Sequence, residues 1–585
     1  MTTKKAPKRR VLIELFRKMG GEMDVWLRVH LLVQAHQKVI GTECSPDNLR
    51  AMWDGKLSEL REKAPAIDQL LAEFPVRHDV TDDVLEQVCR LYQFTEVPHV
   101  GTLYVEVQEQ RAIKAKGQVL TPPDAVAQCF QFLKKKPHGR ILDLGCGAGD
   151  FLLHAYHALR SQRKKLSHET LLQDHLFGLD FDPVILAITR FRLFLECPSS
   201  PVLAPNLFHL NLYHLFTHAL SQQSFDLVVG NPPWGSSLHA EDKQLIHQHF
   251  LPPLTRPRVH NSFIYFLEAG IRLLKDQGHF SFLVPAALLN VEGYQHLRRW
   301  LLQHTEIDTL HIAPDLFPAH FAPALFITGK KTNPPAMEHR IRIAPRQSIP
   351  QSAFLRDERA TFNIHYHPQL EAIFQRMHDR AFYIPPDNFV LGIITGHNDR
   401  HIQKLPWHPR CEPIYTARDV QPFCLSPPHH YLLYDSRSLR QAAPLHRYHG
   451  DKLLYRFISP DLIAAIDRTD SLTLNSVNCI LPDRLPFSLL YLAGLMNSTL
   501  LNTYHRYRFF SGKILASHLR TLPFRLPARS EASRIETLVT RLERRSTPSL
   551  FAALNRSVYR LYEISPRERR LVEEISGRLR HFPFV

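Results

Sequence analysis

The sequence lacks a long run of apolar residues. Val11 to Phe16 follows a basic N-terminal stretch, but this apolar segment is too short for a signal-peptide core and is interrupted by Glu14. No other segment is long and apolar enough to predict a membrane-spanning helix. We therefore expect a cytoplasmic protein with no membrane contact.

The sequence also lacks the spacing patterns of metal sites. Its eight cysteines contain no Cys-x-x-Cys pair, and its 35 histidines are scattered without paired ligand spacing. The cysteines are expected to be reduced, with Cys146 acting as a small packing residue. We predict neither a bound metal nor a disulfide framework.

The first 110 residues contain no convincing acid-acid-x-Lys constellation of the kind found in nucleases, so we predict no DNA cleavage by this region. Apolar residues recur at helical spacing in Val25 to Val39 and in Val84 to Phe94. The region is expected to be a helical domain that packs against the rest of the chain.

Acidic residues are fewer than basic ones, 56 against 72, which gives a formal net charge of +16. A basic balance favours a polyanionic partner, because neutralising phosphates provides most non-specific nucleic-acid affinity. A basic surface can also serve solubility alone. With 585 residues the chain is long enough for two to four domains.

A stretch from Phe225 to Trp234 reads as a buried strand that ends in Asn-Pro-Pro-Trp. Asn231 offers a carbonyl oxygen, and Pro232 and Pro233 hold the backbone in a turn that can direct a main-chain carbonyl into the same pocket. Two acceptors on one NH2 group favour a pyramidal nitrogen with a free lone pair. Trp234 supplies a flat face for stacking. The pattern predicts a site for an exocyclic amine, although Asn and Pro also form ordinary turns.

Upstream, residues 140 to 152 read as a strand, a glycine-rich turn and a helix. Gly145, Gly147 and Gly149 let the backbone pass close to a bound molecule. The spacing Gly-x-Gly-x-Gly differs from that of dinucleotide sites, and Asp143 suits a cationic ligand better than a pyrophosphate. Asp180 ends the next strand, where it would hold a ribose diol or act as an ordinary helix cap.

These segments occur in the order and approximate spacing seen in one enzyme family. With Thr121-Pro122-Pro123 ahead of a helix, the chain from about residue 100 to 330 resembles the gamma-class N6-adenine DNA methyltransferases of bacterial restriction-modification and phage-defence systems. The further segments that carry the resemblance are residues 261–268, 278–285, 316–318 and 324–327.

The resemblance implies S-adenosylmethionine as cofactor and an adenine flipped out of double-stranded DNA as substrate. The cofactor-binding residues that it implies are Thr121, Pro122, Asp143, Gly145, Gly147, Gly149, Asp180, Asn211 and Phe266. The catalytic residues that it implies are Asn231, Pro232, Pro233 and Trp234, with Phe317 stacking on the base from the other side. Adenine must leave the base stack to reach this site.

Asn211 is a departure from the family, which usually has an Asp at this position to accept a hydrogen bond from the cofactor adenine amine. An amide oxygen can still accept that bond, so we expect cofactor binding to be retained but differently tuned.

The predicted fold is α/β: a Rossmann-like methyltransferase domain with a helical N-terminal domain and an α+β target-recognition domain. The expected boundaries are 1–110 for the helical domain, 111–333 for the methyltransferase domain, 334–529 for the target-recognition domain and 530–585 for a C-terminal helical segment. Helices on both faces of a mostly parallel sheet are expected in the second of these.

The C-terminal regions are expected to read DNA. Six cations are candidates for phosphate or base contacts, namely Arg400, Lys404, Arg456, Arg506, Arg508 and Lys513, and each alone is more often a solvated charge. The tail beyond residue 530 has apolar residues at helical spacing. It is expected to pack as helices, with a DNA-facing clamp or a partner-binding element as alternatives.

Three other functions remain open on the sequence alone. Asn-Pro-Pro-aromatic also serves enzymes that methylate a glutamine amide or an adenine in RNA. The third alternative is a subunit that has the methyltransferase fold and binds DNA but is catalytically weak. The departure at Asn211 would indicate this alternative. The long C-terminal region favours duplex DNA, at the nucleoid, and defence-system proteins are expected as further partners.

Overall fold

A computed structural model describes most of the chain in two compact units, Met1–Phe362 and Asn363–Val585. The described residues are 9–18, 23–56, 58–74, 80–94, 99–107, 121–162, 165–235, 240–250, 261–317, 323–336, 338–343, 347–357, 359–509 and 511–580. The predicted boundary at 110/111 and Pro318 of the last family segment lie outside them. None of the described helices combines the length and the apolar character needed to cross a membrane.

The first unit begins with short helices, as the apolar spacing predicts. They are α1 (Arg9–Lys18), α2 (Met23–Val39), α3 (Pro46–Trp53), α4 (Ser58–Lys63), α5 (Ile67–Leu71), α6 (Asp82–Phe94) and α7 (Val100–Val107). Their buried side chains form one apolar core, in which Trp26 is fully buried. Residues of a later helix, including Phe191 and Phe194, belong to the same core, so these helices pack on the following domain.

A nine-stranded sheet forms the centre of the first unit. Its strands are β1 (Ile141–Leu144), β2 (Leu176–Asp180), β3 (Leu207–His209), β4 (Phe225–Gly230), β5 (Leu274–Pro285), β6 (Thr305–Ala313), β7 (Ala324–Lys331), β8 (Arg340–Ile343) and β9 (Gln347–Pro350). The order is β3-β2-β1-β4-β5-β7-β6-β8-β9. The first five strands in this order, β3, β2, β1, β4 and β5, are parallel. Strand β7 runs antiparallel to both β5 and β6.

Consecutive residues of β1 and β2 are all buried, which requires cover on both faces of the sheet. The helices after α7 are α8 (Pro123–Gln131), α9 (Asp150–Gln162), α10 (His168–Thr170), α11 (Pro183–Phe194), α12 (Ala240–His249), α13 (Phe263–Leu273), α14 (Gln295–His304) and α15 (Gln351–Leu355). Helix α9 packs on β1 and β2, α11 on β2 and β3, and α13 on β4 and β5. The predicted fold class of the methyltransferase domain is confirmed. The sheet continues beyond residue 333, since β8 and β9 extend it to residue 350.

Helix α7 lies directly against the glycine-rich turn. A Cβ placed on Gly101 would come within 2.4 Å of the Ala148 Cβ, so only glycine permits this approach. Tyr104 donates its hydroxyl to Asp182 Oδ2 at 2.8 Å, which fixes the same helix to the loop after β2. The helical region therefore supports the loops at the end of the sheet.

The second unit is α+β, as predicted. Its strands are β10 (Ala381–Phe382), β11 (Phe389–Val390), β12 (Ile402–Gln403), β13 (Cys411–Tyr415), β14 (Val420–Gln421), β15 (Cys424–Leu425), β16 (His430–Leu433), β17 (Lys452–Arg456), β18 (Ala464–Asp467), β19 (Leu472–Thr473), β20 (Val477–Ile480) and β21 (Phe524–Arg525). Two four-stranded sheets have the orders β11-β20-β17-β18 and β12-β16-β13-β19.

The helices of the second unit contribute to one of its apolar cores together with β17 and β18, except the short helix Asn398–His401, which has no buried residue. They are α16 (Pro368–Arg376), α17 (Asn398–His401), α18 (Leu489–Met496), α19 (Thr499–Phe509), α20 (Ala516–Leu519), α21 (Arg529–Arg544), α22 (Pro548–Leu561) and α23 (Pro566–Arg580). Ile535, Val539 and Leu542 are buried in this core, and Leu538 packs at its border. The apolar spacing of the tail thus reflects helix packing.

Candidate active site

Four polar residues lie at the carboxyl ends of adjacent strands of the central sheet. Asp143 is in β1, Asp180 ends β2, Asn211 follows β3 and Asn231 follows β4. Asp143 is the register partner of Val229, two residues before Asn231. Because the carboxyl ends of parallel strands meet at one edge, the Asn-Pro-Pro-Trp loop and the glycine-rich turn lie side by side.

The side-chain amide of Asn231 is held at both ends. Its Nδ2 donates to Thr121 Oγ1 at 3.0 Å, and its Oδ1 accepts from the indole Nε1 of Trp234 at 3.0 Å. The amide oxygen keeps a second lone pair for another donor. Thr121 directly precedes Pro122, the N-cap of α8, so the first bond joins two predicted site segments that lie 110 residues apart.

The two prolines after Asn231 have different surroundings. Ser262 Oγ donates to the Pro233 carbonyl at 2.6 Å and lies 2.9 Å from the Gly235 carbonyl. Within the described part of the chain, the Pro232 carbonyl accepts no hydrogen bond. The carbonyl available for an incoming donor is therefore that of Pro232, while Ser262 fixes the loop behind it. Sequence reasoning missed Ser262, although it lies in the 261–268 segment of the family resemblance.

Trp234 and Phe317 contact each other edge to face, with ring centroids 5.1 Å apart and planes at 86°. Phe317 is buried, whereas Trp234 is half-buried. The structure thus brings the two predicted aromatic residues together. A sandwich around a base requires parallel faces, and the rings here are perpendicular.

Asp143 is a buried carboxylate with neither oxygen hydrogen-bonded in the part of the chain that the structure describes. Burial raises its pKa well above the usual value, and the nearby charges of Asp180 and Asp150 raise it further. A Cβ on Gly230 would lie 2.6 Å from Asp143 Oδ1, so glycine is required at the end of β4. A buried, unpartnered carboxylate fits a cationic ligand group.

The glycine-rich turn has a tightly bonded main chain, in which the Gly145 and Gly149 amides donate to the Leu179 and Cys146 carbonyls. Gly145, Gly147 and Gly149 adopt positive φ angles of 79°, 52° and 83°. A Cβ on Gly147 would meet no atom within 4 Å, so this position borders open space. At Gly145 a Cβ would lie 3.0 Å from Phe266 Cε1, which places the Phe266 ring against the turn.

Asp180 also binds the turn. Its Oδ2 accepts from the Gly147 amide and its Oδ1 from the Asp182 amide, each at 3.0 Å. Burial raises the pKa of Asp180 to about 6, while these amide donors act in the opposite direction. Asp182, not Asp180, caps helix α11 through the Val184 and Ile185 amides. The capping alternative for Asp180 is therefore wrong.

Asn211 is engaged on both sides of its amide. Its Oδ1 accepts from the Tyr213 amide at 3.2 Å, and its Nδ2 donates to Asp242 Oδ1 at 3.2 Å. Asp242 belongs to α12 and is buried. Asp242 thus places a carboxylate next to Asn211, the residue that departs from the family pattern. No sequence signal marked Asp242, because it follows no strand.

Three of the six predicted DNA-contacting cations are engaged within the second unit. Arg506 is buried and paired with Asp461, and Arg508 donates to Glu371 at 2.6 Å. Arg456 donates to the Val420 carbonyl at 2.7 Å. These three side chains stabilise the fold, which corrects the expectation for them. Arg400, Lys404 and Lys513 are exposed.

Comparison with known protein families identifies two domains. Residues 103–352 match the N-6 DNA methylase family, and residues 412–524 match the TaqI-like C-terminal specificity domain. The first match contains every residue of the edge described above, and the second lies entirely within the second unit.

The chain has curated relatives among bacterial methyltransferases. It is 24% identical to the type II methyltransferase M.VspI of Vibrio sp. (strain 343) over 327 residues, 54% of this chain and 74% of the relative. Identity to the type II methyltransferase M.TthHB8I of Thermus thermophilus is 24% over 224 residues, 37% of this chain and 46% of the relative. Two further relatives are type II restriction enzymes and methyltransferases from Methanocaldococcus jannaschii and Escherichia coli. The match covers 10% of the first relative and 29% of the second.

Among solved structures, the type IIL restriction-modification enzyme MmeI in complex with DNA has the same fold. The TM-score is 0.64 at 13% identity, with 99% of this chain and 100% of that chain covered. The DrdV–DNA complex gives a TM-score of 0.51 at 12% identity, over 91% of this chain and 70% of that chain.

These matches confirm the family expected from the motifs. The family and its fold imply S-adenosylmethionine as the methyl donor. The chain thus contains an N-6 DNA methylase domain and a TaqI-like C-terminal specificity domain, and it is a DNA adenine-N6 methyltransferase similar to the type II methyltransferases of restriction-modification systems.

Proposed function

We propose that this protein methylates the N6 amine of a specific adenine in double-stranded DNA, with the adenine flipped into the pocket formed by the Asn-Pro-Pro-Trp loop. The observation that carries the proposal is the fixed amide of Asn231, held by Thr121 and Trp234 beside the buried carboxylate of Asp143. Methylation of nucleoid DNA would serve restriction-modification or phage defence, with defence-system proteins as partners.

Asn231 and Pro232 act on the amine. The Asn231 oxygen and the Pro232 carbonyl accept its two hydrogens, which keeps the nitrogen lone pair free to attack. Preorganised acceptors are effective because no reorganisation is needed during the reaction. Pro233 holds the turn through its contact with Ser262, and Trp234 offers its ring face to the base. Phe317 contacts Trp234 edge to face and would bound the pocket.

The cofactor pocket is formed by the strand ends next to this loop. When bound, S-adenosylmethionine supplies a methyl group already activated on a sulfonium. Asp143 would hold the cationic amino-acid end, because its buried oxygens have no other donor among the described residues. Asp180 would take the ribose hydroxyls, and the Gly145–Gly149 turn leaves room for close approach. Thr121 and Pro122 border the methionine end.

Asn211 and Phe266 complete the pocket at the adenine end. Phe266 lies against Gly145 and would line the cofactor adenine. The Asn211 oxygen already accepts one hydrogen bond, and its second lone pair would take the adenine amine. Asp242, hydrogen-bonded to Asn211, would strengthen this end by orienting the amide.

The test is methyl transfer from labelled cofactor to duplex DNA, to RNA and to a translation release factor. We expect label in DNA alone, recovered as N6-methyladenine after digestion. Asn231→Ala should lower kcat by at least about a hundredfold, since one preorganised group is worth this much. Its fold and most of its DNA binding should be unchanged.

Asn231→Asp is the matched variant, because it keeps an acceptor oxygen and should retain measurable transfer. Adenine methylation by Asn231→Ala at the wild-type rate would exclude the assigned role. Label in RNA or in the release factor would identify a different substrate.

A further inference from the structure

A groove between α21 and α22 is the feature that the methyl-transfer site does not explain. It lies within the second unit and has a cavity volume of about 650 Å³. Its polar lining comes from two rows of side chains, Ser533, Arg534 and Thr537 on α21 and Arg556, Ser557 and Arg560 on α22. Guanidinium and hydroxyl groups are the side-chain donors that most often bind phosphate oxygens.

The three arginines of the groove are exposed, and none forms an ion pair within the described ranges of the second unit. Many arginines of this unit that lie elsewhere are paired, for example Arg376 with Glu568 and Arg569 with Glu573. The groove therefore concentrates positive charge that the protein itself does not neutralise.

None of the acidic residues of the two helices lines the groove. Helix α22 contains no acidic residue. On α21, Glu531 accepts from the Ala528 amide, Glu536 from Ser488 Oγ, and Glu543 pairs with Arg468 at 3.0 Å. Each acid of α21 thus has a partner that does not line the groove.

The spacing of the donors suits an extended ligand. Arg556 and Arg560 are one helical turn apart on α22, as Ser533 and Thr537 are on α21, so each pair lies on one helix face. Ile535, Val539 and Val558 are buried in the core and hold the two helices together. A rigid groove with donors on both walls can follow a polymer backbone.

We propose that the groove between α21 and α22 binds the phosphate backbone of duplex DNA without reading its bases. The inference rests on the proposed function, in which duplex DNA is the substrate. Arginine pairs with phosphate through two parallel hydrogen bonds. The Thr537 and Ser557 hydroxyls donate to the Ser533 and Ala553 carbonyls, so the three arginines are the phosphate donors of the groove. An acidic protein segment is the competing occupant, and the experiment below separates the two.

The experiment compares the full chain with the triple variant R534A/R556A/R560A. Binding to a mixed-sequence duplex of about 40 base pairs is followed by fluorescence anisotropy at several salt concentrations. We expect about a 10- to 100-fold weaker affinity near physiological salt, and a salt slope shallower by about two to three. Triple Arg→Lys substitution should restore most of the slope, because the charge is kept. The expected methyl-transfer result is an unchanged kcat at saturating DNA with a raised KM for DNA.

The matched control is R376A/R569A/R578A, which removes the same formal charge from two exposed arginines and the half-buried Arg569, all already paired with Glu568, Glu573 and Glu574. It should change DNA affinity much less. An equal loss of DNA affinity in both triple variants would show that the effect depends on net charge alone, and it would overturn the inference. Thermal melting of each variant shows whether the fold is kept.

Unchanged DNA affinity in R534A/R556A/R560A would also overturn the inference, and loss of polyglutamate binding alone would indicate an acidic protein partner instead. The two proposals fail separately. If the wild-type chain methylates DNA and the groove variant binds DNA normally, only the groove inference is wrong. If the groove variant loses DNA affinity but no chain methylates DNA, only the proposed function is wrong.

Discussion

Thr121 and Asn231 are joined by a hydrogen bond of 3.0 Å although 110 residues separate them in the chain. Thr121 precedes α8, while Asn231 follows β4. The bond directs the amide nitrogen of Asn231 toward Thr121, and its oxygen remains on the side of Trp234. Thr121, which we propose to border the cofactor pocket, therefore orients Asn231, the proposed acceptor for the target amine.

Thr121→Val should lower kcat by about 10- to 100-fold, because valine has the same shape but cannot accept the Asn231 amide hydrogen. Thr121→Ser keeps the hydroxyl and should retain most of the activity. The measurement is kcat and KM for DNA under saturating cofactor. An unchanged kcat in Thr121→Val would show that the bond does not position Asn231.

Cofactor binding should release a proton from Asp143. Burial and two neighbouring carboxylates raise the pKa of Asp143, which shifts its equilibrium in the free protein toward the protonated form. A bound cationic group favours the ionised form, and the proton must then leave. Calorimetry near pH 7 in buffers of different ionisation enthalpy measures the released protons. Asp143→Asn should abolish the release and weaken binding, and proton uptake by the wild type would contradict the assignment.

Cofactor affinity should fall below about pH 6, because burial raises the pKa of Asp180 to about 6. Above this pH the carboxylate is ionised and accepts from ribose hydroxyls, whereas below it the protonated form accepts poorly. The affinity should drop about tenfold between pH 7 and pH 5 if binding lowers this pKa below 5. Equilibrium titrations across this range test it. Asp180→Asn should bind weakly with a shallower dependence over the same range, because only the proton of Asp143 then remains linked to binding, and an equal slope in that variant would refute the role.

Arg298→Met should destabilise the first unit. The Arg298 side chain is fully buried, and its guanidinium donates to the carbonyls of Leu288, Val291, Arg359 and Ala360. Removing it leaves these acceptors unsatisfied at a cost of about 3 kcal/mol or more in the free energy of unfolding.

Denaturant unfolding of Arg298→Met, followed by circular dichroism, measures this cost. The control is Arg299→Met, which changes the adjacent half-buried arginine and should have a small effect. Equal stability of Arg298→Met and the wild type would contradict the structural role of Arg298.

The chemistry of the site was accessible from local sequence, since each motif is a strand end followed by residues with a distinct backbone requirement. Gly145 and Gly147 need positive φ, and Asn231 is followed by two prolines. Such constraints act over a few residues and are visible in the chain itself. The family match confirmed the family that the order of these motifs indicates.

The sequence pattern was less informative about cations. The sequence predicts that Arg506 and Arg508 contact DNA. In the structure, burial and ion pairs with Asp461 and Glu371 give them a stabilising role instead. The sequence pattern does not indicate Arg534, Arg556 and Arg560 as a cluster, because they are spread over two helices. The charge of a residue in the sequence does not show whether its side chain forms an ion pair in the folded protein.

The sequence by itself determined the fold class, the family and the residue types at the strand ends, because strand, turn and helix preferences and the motif order are local properties of the chain. Only the tertiary structure decided which partners these residues have: Thr121 for Asn231, Ser262 for the Pro233 carbonyl, and Asp242 for Asn211. These contacts join segments distant in sequence, and their geometry follows from how strands and helices pack.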